Sequence, residues 1–532
     1  MMTDPLNAWM MLDSGPSHSP YAEIVSRLPG GEVHRYTYAE FGRRTRQLMH
    51  ALDALGLERG ERVATLAWNS YRHLEAYLAV PCTGRVLHTL NVRLSPDELA
   101  FIIQDADDRA LLVDADLLPM IEEIAPRLDG VRHVVVLDDS APASSVPGVV
   151  AYEELIAGRP EDYARLDIAE DTPMGLCYTS GTTGSPKGAL YTHRSSFLHA
   201  LAVTSAAAMS IGPGDSVLPQ VPMFHANAWG MPYAAALVGA KQVFFAGPLE
   251  PAPFVDLMVE ERVSVAAGVP TVWLSMADEL AARQISLPDL RHIVCGGSQP
   301  PKSLITRLSD EFGIRMIQAW GMTETSPLAS MAWPQERMRD WPQEWVTEVA
   351  LTQAGLPLPG IRVSIRDPEG DEVPADGETM GDLWVRGPWV IDSYVHGMGK
   401  EQFTDDGWFR TGDVAIGSPD GYFVIADRTK DLIKSGGEWI SSVEMEAAIM
   451  GMPNVAEAVV IAVPHPKWLE RPLPCIVVRP GATVEIEEVR EHLASSGFAR
   501  WQLPDRLELV DEIPKTAVGK FDKKVLRGRF AT

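Results

Sequence analysis

The chain has 532 residues and carries 46 Lys and Arg against 72 Asp and Glu, which gives a formal net charge of −26. This sign disfavours proteins that bind nucleic acid or anionic membrane surfaces, but not proteins that bind ATP, because backbone N–H groups, lysines and a metal ion neutralise phosphates locally. The length exceeds that of one ordinary core and predicts a large domain plus a smaller one.

The sequence has none of the features expected of a membrane-spanning or secreted protein. No stretch reaches the roughly 18 to 20 uninterrupted apolar residues that cross a bilayer. The first twenty residues contain Asp4 and Asp13 but no Lys or Arg, unlike a secretory signal. Neither a zinc cluster nor a disulfide framework is indicated, because the cysteines lie far apart without CxxC spacing: Cys82, Cys177, Cys295 and Cys475. We therefore expect a soluble, cytoplasmic protein with reduced and mostly buried thiols.

Residues 36–140 alternate between helical patterns and short apolar runs, which is the rhythm of βαβ units. Tyr38 to Leu55 predicts a helix, and Arg62 to Ala67 and Ala110 to Val113 predict strands. We therefore expect an α/β fold whose large N-terminal domain is built from βαβ-type sheets.

Three later segments each run from a predicted strand into a glycine-bearing loop. The loops are Thr179 to Gly188, Gly296 to Ser298, and Trp320 to Glu324. Because open parallel sheets bind ligands at the carboxyl ends of their strands, we expect the three loops to converge on one pocket.

The sequence pattern changes from about Gly355, where short strand-like runs separated by turn residues predict a small β subdomain. A compact charged segment, Asp427 to Asp431, follows, and Ser441 to Glu444 has the pattern of a capping box that opens a helix. We place the domain boundary here. The predicted organisation, given in residue numbers alone, is an N-terminal domain at 1–427, a hinge at 428–433 and a smaller α+β C-terminal domain at 434–532.

The loop Thr179 to Gly188 combines the residue types that hold a phosphate. Its glycines permit close backbone approach, its hydroxyls can donate to phosphate oxygens, and Lys187 supplies positive charge. It is not a Walker A loop, because Ser185 and Pro186 separate the lysine from the preceding glycine. On composition alone, a flexible surface loop fits the same residues.

Five ordered motifs together resemble those of the adenylate-forming superfamily of acyl-CoA synthetases, luciferases and nonribosomal adenylation domains. They are YTSGTTGSPKG at 178–188, QAWGMTE at 318–324, TGD at 411–413, DRTKDLIKSGGEWIS at 427–441 and PKTAVGK at 514–520. The resemblance extends over essentially the whole chain, and it is nearest to bacterial medium- and long-chain fatty-acyl-CoA synthetases. It implies a C-terminal domain that is mobile about the hinge.

The resemblance implies ATP, Mg²⁺ and CoA as the small molecules that the protein uses. In the family reaction, a carboxylate attacks the α-phosphate of ATP to give an acyl-adenylate and pyrophosphate, and the thiol of CoA then displaces AMP. The first step joins two anions, so it demands positioning and charge neutralisation more than covalent chemistry. Transfer to a carrier-protein thiol or another nucleophile is the alternative. A non-catalytic nucleotide-binding protein is disfavoured, because the motif residues are present.

The resemblance also assigns residues to the adenylation step. Lys520 would bridge the carboxylate and the α-phosphate, and Thr323 would contact the α-phosphate. Glu324 would hold Mg²⁺, with Thr179 or Ser180 assisting. Asp413 would accept from the ribose hydroxyls, although an isolated Asp in such a turn is otherwise an ordinary turn residue. The remaining contacts to ATP or AMP are assigned to Ser180, Gly181, Thr182, Thr183, Gly184, Lys187, Gly297, Ser298, Ala319, Trp320, Gly321, Met322 and Arg428.

The hinge and the second half-reaction are assigned in the same way. Lys430 stands at the family position whose backbone torsions rotate the small domain between adenylation and thioester formation. The residues that would border the thiol tunnel in the second conformation are Lys434, Gly436, Gly437 and Trp439.

The segment Met223 to Gly230 resembles the acid pocket of the fatty-acyl enzymes, with Trp229 at the mouth of an acyl tunnel and His225 at its wall. An ordinary core tryptophan and a structural histidine are the competing interpretations. No Asp stands here to pair with a substrate ammonium, which disfavours amino acids. The sequence does not determine the chain length of the acid, because a hydrophobic pocket distinguishes acids that differ by one methylene by only about 1 kcal/mol. Close relatives form homodimers, but the sequence itself indicates no interface.

Overall fold

The computed structural model describes residues 3–179, 186–435, 438–515 and 521–530. The chain divides into two compact units. Unit 1 comprises Met1–Val294, Gly321–Ala329 and Gly387–Lys400, and unit 2 comprises Cys295–Trp320, Ser330–Arg386 and Glu401–Thr532. Among the described residues, no helix has the length and apolarity needed to cross a membrane.

Helices and strands alternate along most of the chain. The helices are α1 (Ala8–His18), α2 (Tyr38–Ala54), α3 (Tyr71–Cys82), α4 (Pro96–Asp105), α5 (Leu118–Ile124), α6 (Tyr152–Ile156), α7 (His193–Thr204), α8 (Met231–Val238), α9 (Pro251–Glu260), α10 (Pro270–Arg283), α11 (Lys302–Phe312), α12 (Gln343–Val346), α13 (Ser442–Met450), α14 (Ile486–Ser495) and α15 (Lys523–Phe530). The strands are β1 (Glu23–Arg27), β2 (Val33–Thr37), β3 (Arg62–Leu66), β4 (Val86–Thr89), β5 (Asp108–Val113), β6 (His133–Val136), β7 (Val150–Ala151), β8 (Pro173–Tyr178), β9 (Gly188–Thr192), β10 (Ser216–Pro219), β11 (Lys241–Phe245), β12 (Val265–Gly268), β13 (His292–Cys295), β14 (Met316–Gly321), β15 (Leu328–Met331), β16 (Leu356–Pro357), β17 (Arg362–Arg366), β18 (Met380–Arg386), β19 (Phe409–Gly417), β20 (Phe423–Arg428), β21 (Ile433–Ser435), β22 (Glu438–Ile440), β23 (Val455–His465), β24 (Leu469–Val478) and β25 (Glu508–Leu509).

The first sheet of unit 1 carries the start of the predicted phosphate loop. Its strand order is β7-β6-β5-β3-β4-β8-β9. Neighbouring strands are parallel except β8 and β9, which are antiparallel. Thr179 follows the last residue of β8 and therefore emerges at the carboxyl edge, as the sequence predicts. The sequence did not indicate β9, whose residues return from the loop as the second strand of a hairpin.

A second sheet in unit 1 places β12, β10, β11, β1 and β2 side by side in that order. Helix α3 packs against β3, β4 and β8 of the first sheet and against β1 of the second. Every residue of α3 is buried, because the helix has a sheet on each side. Its Glu75 carboxylate pairs with the Arg44 guanidinium of α2 at 2.7 Å, which compensates part of the cost of burying that charge.

Unit 2 contains the predicted small β subdomain, an antiparallel sheet of order β17-β18-β19-β20. Beyond it, β22, β21, β24 and β23 form another sheet in which β25 pairs with β24. Helix α13 packs on β23, and its first turn is capped by Ser441, whose Oγ accepts the N–H of Glu444 at 3.0 Å. The α/β class, the β subdomain and the α+β character of the C-terminal part are thus confirmed.

Candidate functional site

Eight of the predicted site residues lie outside the described ranges: Ser180, Gly181, Thr182, Thr183, Gly184, Gly436, Gly437 and Lys520. The others are divided between unit 1 and unit 2. The boundary between the two units falls between Trp320 and Gly321, the last two residues of β14. The predicted convergence of three loops on one pocket stays a prediction.

In unit 1, Thr179 and Lys187 face each other at the base of the β8–β9 hairpin. The Thr179 N–H donates to the Lys187 carbonyl at 2.9 Å, and the Lys187 N–H donates to Thr179 Oγ1 at 3.1 Å. These two bonds fix the spacing between the ends of the predicted phosphate loop. The Lys187 ammonium lies 5.0 Å from the ring centroid of Tyr394, a distance at which a cation is attracted to an aromatic face.

The same tyrosine contacts the predicted metal ligand. The Tyr394 hydroxyl donates to Glu324 Oε1 at 2.5 Å, and the Glu324 side chain is buried, with the residue 6% exposed. The Glu324 carbonyl accepts the N–H of Ile391 at 2.9 Å, and the Thr323 carbonyl accepts the Tyr191 hydroxyl at 2.7 Å. Tyr394 therefore contacts both the Lys187 ammonium and the Glu324 carboxylate, and Tyr191 holds the backbone of the preceding Thr323. The sequence analysis missed both tyrosines, since neither belongs to a motif.

The Glu324 carboxylate fits a magnesium ion better than it fits a transition metal. Among the described residues, no group of three or more His, Cys, Asp and Glu side chains is arranged to hold a metal ion. Magnesium is commonly held by one or two carboxylates together with substrate phosphates and water. One buried carboxylate beside a hairpin with a lysine meets that requirement.

Gly321 closes the loop that presents Thr323 and Glu324. A Cβ atom on Gly321 would lie 1.9 Å from the Pro327 carbonyl oxygen, which is too close for any side chain. The Met322 N–H donates to the same oxygen at 3.1 Å. Glycine is therefore required here by backbone approach within the protein, whatever contact it makes with a nucleotide.

Asp105, the last residue of α4, is a further residue that the sequence analysis missed. Its Oδ2 accepts the Tyr178 hydroxyl at 2.6 Å, and its carbonyl accepts Nε2–H of His396 at 3.0 Å. Tyr178 immediately precedes Thr179, and His396 is two residues after Tyr394. Burial, and then the bond to Asp105, raises the pKa of Tyr178, so its hydroxyl stays a donor. Asp105 thus ties the base of the hairpin to the segment that carries Tyr394.

In unit 2, the structure brings together three of the predicted nucleotide contacts. Asp413 in β19 and Arg428 in β20 are opposite each other in register, and their Oδ1 and Nε atoms are 2.6 Å apart. The other Asp413 oxygen accepts Nε1–H of Trp320 at 3.1 Å, and Asp413 is only 2% exposed. The indole packs edge-to-face on Phe423 at 5.6 Å. The bond between Trp320 and Asp413 had no signal in the sequence, because 93 positions separate the two residues.

The remaining predicted adenine contacts lie near the carboxyl ends of β13 and β14. Gly297 comes shortly after β13 and has a φ of +83°, the left-handed region that favours glycine. Ser298 beside it is exposed, whereas Ala319 near the end of β14 is buried. Their contact with adenine stays a prediction.

The acid segment, Met223 to Gly230, contains consecutive residues with a left-handed backbone. Ala226, Asn227, Ala228 and Trp229 have φ values of 42°, 55°, 49° and 55°, and Gly230 follows at 72°. A left-handed L-residue costs roughly 1–2 kcal/mol, and such strain concentrates at ligand sites. Trp229 is 6% exposed, which agrees with both a core role and a pocket role. The strained run is a feature that an ordinary core does not require.

The ring of His199 fixes the end of this run. Its Nε2 accepts the Leu328 N–H at 3.1 Å, and burial lowers the pKa of His199 to about 3, so the ring stays neutral. A Cβ atom on Gly230 would lie 2.5 Å from His199 Nδ1. The predicted wall residue His225 is half-buried, and its N–H donates to the Pro222 carbonyl at 2.9 Å.

The predicted hinge lies in a turn after β20. The N–H of Thr429 donates to the Gly412 carbonyl at 3.1 Å, and the N–H of Asp431 donates to the Arg428 carbonyl at 2.8 Å, which places exposed Lys430 between them. Lys434 in β21 and Trp439 in β22 are opposite each other.

The Lys434 ammonium lies 5.2 Å from the Trp439 ring centroid, and Trp439 is 45% exposed. Their place at the border of a thiol tunnel stays a prediction.

Two family models match the chain. Residues 16–395 match the AMP-binding enzyme family, and residues 444–520 match the AMP-binding enzyme C-terminal domain. Both matches agree with the family that the five motifs indicated.

Proteins of known activity are similar over the full length. A long-chain-fatty-acid–CoA ligase of Thermus thermophilus is 48% identical over 100% of this chain and 96% of its own length. A medium-chain-fatty-acid–CoA ligase of Ectopseudomonas oleovorans is 40% identical over 100% of this chain and 97% of its own length. Among solved structures, the anthranilate CoA ligase AuaEII in complex with anthranoyl-AMP is 26% identical, with a TM-score of 0.88 over 99% of this chain and 98% of that chain.

Replacing Gly230 with alanine should destabilise unit 1 and disturb the acid segment. The new methyl group meets the buried His199 ring in a left-handed backbone, so we expect a loss of about 3 kcal/mol in the free energy of unfolding. Urea denaturation measures that loss. Gly214→Ala is the matched control, because a Cβ atom there meets nothing within 4 Å. Equal stability of the two variants would contradict the described packing.

Replacing Asp105 with alanine should weaken the binding of ATP about fivefold, because Tyr178 loses a charge-assisted hydrogen bond at the base of the hairpin. Initial-rate kinetics should show a raised KM for ATP with a smaller change in kcat. Tyr178→Phe removes the same bond from the other side, so the double variant should be no worse than either single one. Asp97→Asn on the exposed side of α4 is the control. Additive losses in the double variant would refute the coupling.

Proposed function

The chain belongs to the AMP-binding enzyme family, and from that premise we propose that it activates a carboxylic acid with ATP through an acyl-adenylate and then forms the CoA thioester. It is an acid–thiol ligase that releases AMP and pyrophosphate. The observation that carries this proposal is the group in unit 1, where Tyr394 contacts both the Lys187 ammonium and the buried Glu324 carboxylate. One tyrosine therefore contacts both the lysine that would bind the phosphates and the carboxylate that would bind the metal ion.

Each step makes a physical demand that particular residues are suited to meet. Lys187 and the hydroxyls of the hairpin loop hold the β- and γ-phosphates, which leave as pyrophosphate. Glu324 holds Mg²⁺, which supplies charge neutralisation between the two anionic reactants when bound. Lys520 holds the carboxylate against the α-phosphate. Asp413, oriented by Arg428, accepts the ribose hydroxyls.

The proposed acid is a medium- or long-chain fatty acid. Support comes from the activities of the two similar bacterial ligases and from the apolar segment around Trp229. Transfer to a carrier-protein thiol is the second candidate, but the similar ligases use CoA.

A panel of carboxylic acids with ATP and Mg²⁺ tests the activity, with AMP and pyrophosphate measured in the presence and absence of CoA. We expect fatty acids to support AMP release that CoA accelerates. Lys520→Ala should abolish adenylate formation and leave ATP binding largely intact, whereas Lys524→Ala, an exposed lysine of α15, should change neither. AMP release by no acid would refute activation. Adenylate formation that CoA never accelerates would favour the carrier protein.

We also propose that residues 1–427 and 434–532 move as separate bodies about the hinge at 428–433. Support comes from a hydrophobic cluster made entirely of residues between Ile433 and Leu507, and from a second between Val459 and Phe530. Lys430 stands in the turn that precedes both clusters in the chain. A cytoplasmic location and a homodimer stay predictions, to be checked by fractionation and by light scattering.

Lys430→Pro should stop one half-reaction and spare the other, because proline fixes φ near −65° and removes an N–H group at the hinge. Single-turnover assays of adenylate formation and of thioester formation from preformed adenylate measure the two steps. Lys430→Ala removes the charge without restricting the backbone and should retain both rates. Wild-type rates for both steps in the proline variant would exclude the hinge.

A further inference from the structure

A cavity of unit 1, of about 330 Å³, lies at the amino-terminal edge of the first sheet. Arg62, Val86 and Pro173 line it, and they are the first residues of β3, β4 and β8. Thr179 follows the opposite end of β8. A strand of six residues is about 20 Å long, so the cavity is distinct from the predicted phosphate loop.

The Nε atom of Arg62 has no hydrogen-bond partner among the described residues. This atom is buried, and no ion pair or hydrogen bond to the other nitrogens of the guanidinium occurs within the ranges that the structure describes. Two neighbouring carboxylates bond to other side chains. Glu61 pairs with Arg109 and Arg132, and Asp108, the register partner of Arg62, pairs with His88 at 2.8 Å. The Arg62 charge still acts on one of them, because burial raises the pKa of Asp108 and the charges of His88 and Arg62 oppose that rise. The donor capacity of the buried Arg62 Nε is therefore left for a ligand that can accept from it.

The other lining residues determine which anion fits. Arg59 also lines the cavity and likewise lacks an ion pair in the described part of the chain, while Asp167 contributes one negative charge. Two arginines against one aspartate leave a single net positive charge, in a chain whose overall charge is −26. The walls beside these groups are apolar, formed by side chains such as Ile168 and Leu190.

We propose that this cavity binds a small organic monoanion, a carboxylate with an apolar body. Its two oxygens accept from the Arg62 and Arg59 guanidiniums, whose planar arrays of donors suit a carboxylate. Its apolar part packs against Val86, Ile168 and Leu190. The cavity volume is at the lower end of the range for small-molecule sites, so the body is a short chain or a single ring.

Calorimetric titration with hexanoate tests the proposal, with the adenylate site occupied by a non-hydrolysable acyl-adenylate analogue. We expect one hexanoate to bind to this complex, and hexanol, which lacks the charge, not to bind. Arg62→Gln should weaken hexanoate binding about tenfold, the effect of losing one charge-assisted pair. Arg59→Gln, at an exposed position whose change spares the core, should weaken it about threefold. Arg500→Gln, an exposed arginine of unit 2, should leave it unchanged.

Several results would overturn the proposal. Absence of hexanoate binding to the complex would exclude the site, and wild-type affinity in both Arg59→Gln and Arg62→Gln would place any binding elsewhere. Hexyl phosphate binding more tightly than hexanoate would exclude a monoanionic carboxylate as the preferred ligand. Thermal denaturation of each variant shows that it is folded, and Arg59→Gln keeps the test valid if Arg62→Gln does not fold.

Discussion

In unit 1, one aromatic residue contacts two side chains of opposite charge and holds both in place. Tyr394 donates its hydroxyl to the Glu324 carboxylate and presents its ring to the Lys187 ammonium. Without a fixed intermediary, a lysine and a buried carboxylate would be free to pair directly and to exclude the phosphates and the metal that each could hold. Tyr191 and Asp105 extend the same restraint to the backbone of Thr323 and to the base of the hairpin. The site is thus preorganised by hydroxyl groups rather than by the charged groups themselves.

The sequence predicted the parts of this arrangement that depend on local patterns. The α/β class, helix α2, the β subdomain and the cap at Ser441 all follow from periodicity and capping residues over a few turns. Trp320, Asp413 and Arg428, which the motifs assign to the nucleotide, contact one another in unit 2. The family motifs, not composition, supplied those residues.

What the sequence did not reveal depends on contacts between distant positions. Strand β9 is short and follows a loop of small residues, so its pairing with β8 was hidden. Tyr394 lies 70 positions from Glu324, and Asp105 lies 73 positions from Tyr178. Glycine is the residue type that usually indicates a left-handed backbone, but the run from Ala226 to Trp229 contains none and has only Gly230 beside it. The residue types therefore do not predict this run. Such features require the tertiary structure, because the energy that stabilises them comes from the surroundings and not from local propensity.

The complete burial of helix α3 limits which segments can be exchanged between related chains. Because all of its residues are buried and it touches strands of both sheets of unit 1, it has no face on which substitutions are free. A segment exchanged between related enzymes would have to bring α3 together with β1, β3, β4 and β8, or leave mismatched volumes on two sides at once. Exchange boundaries placed outside this block should preserve the scaffold while altering the acid segment that follows β10.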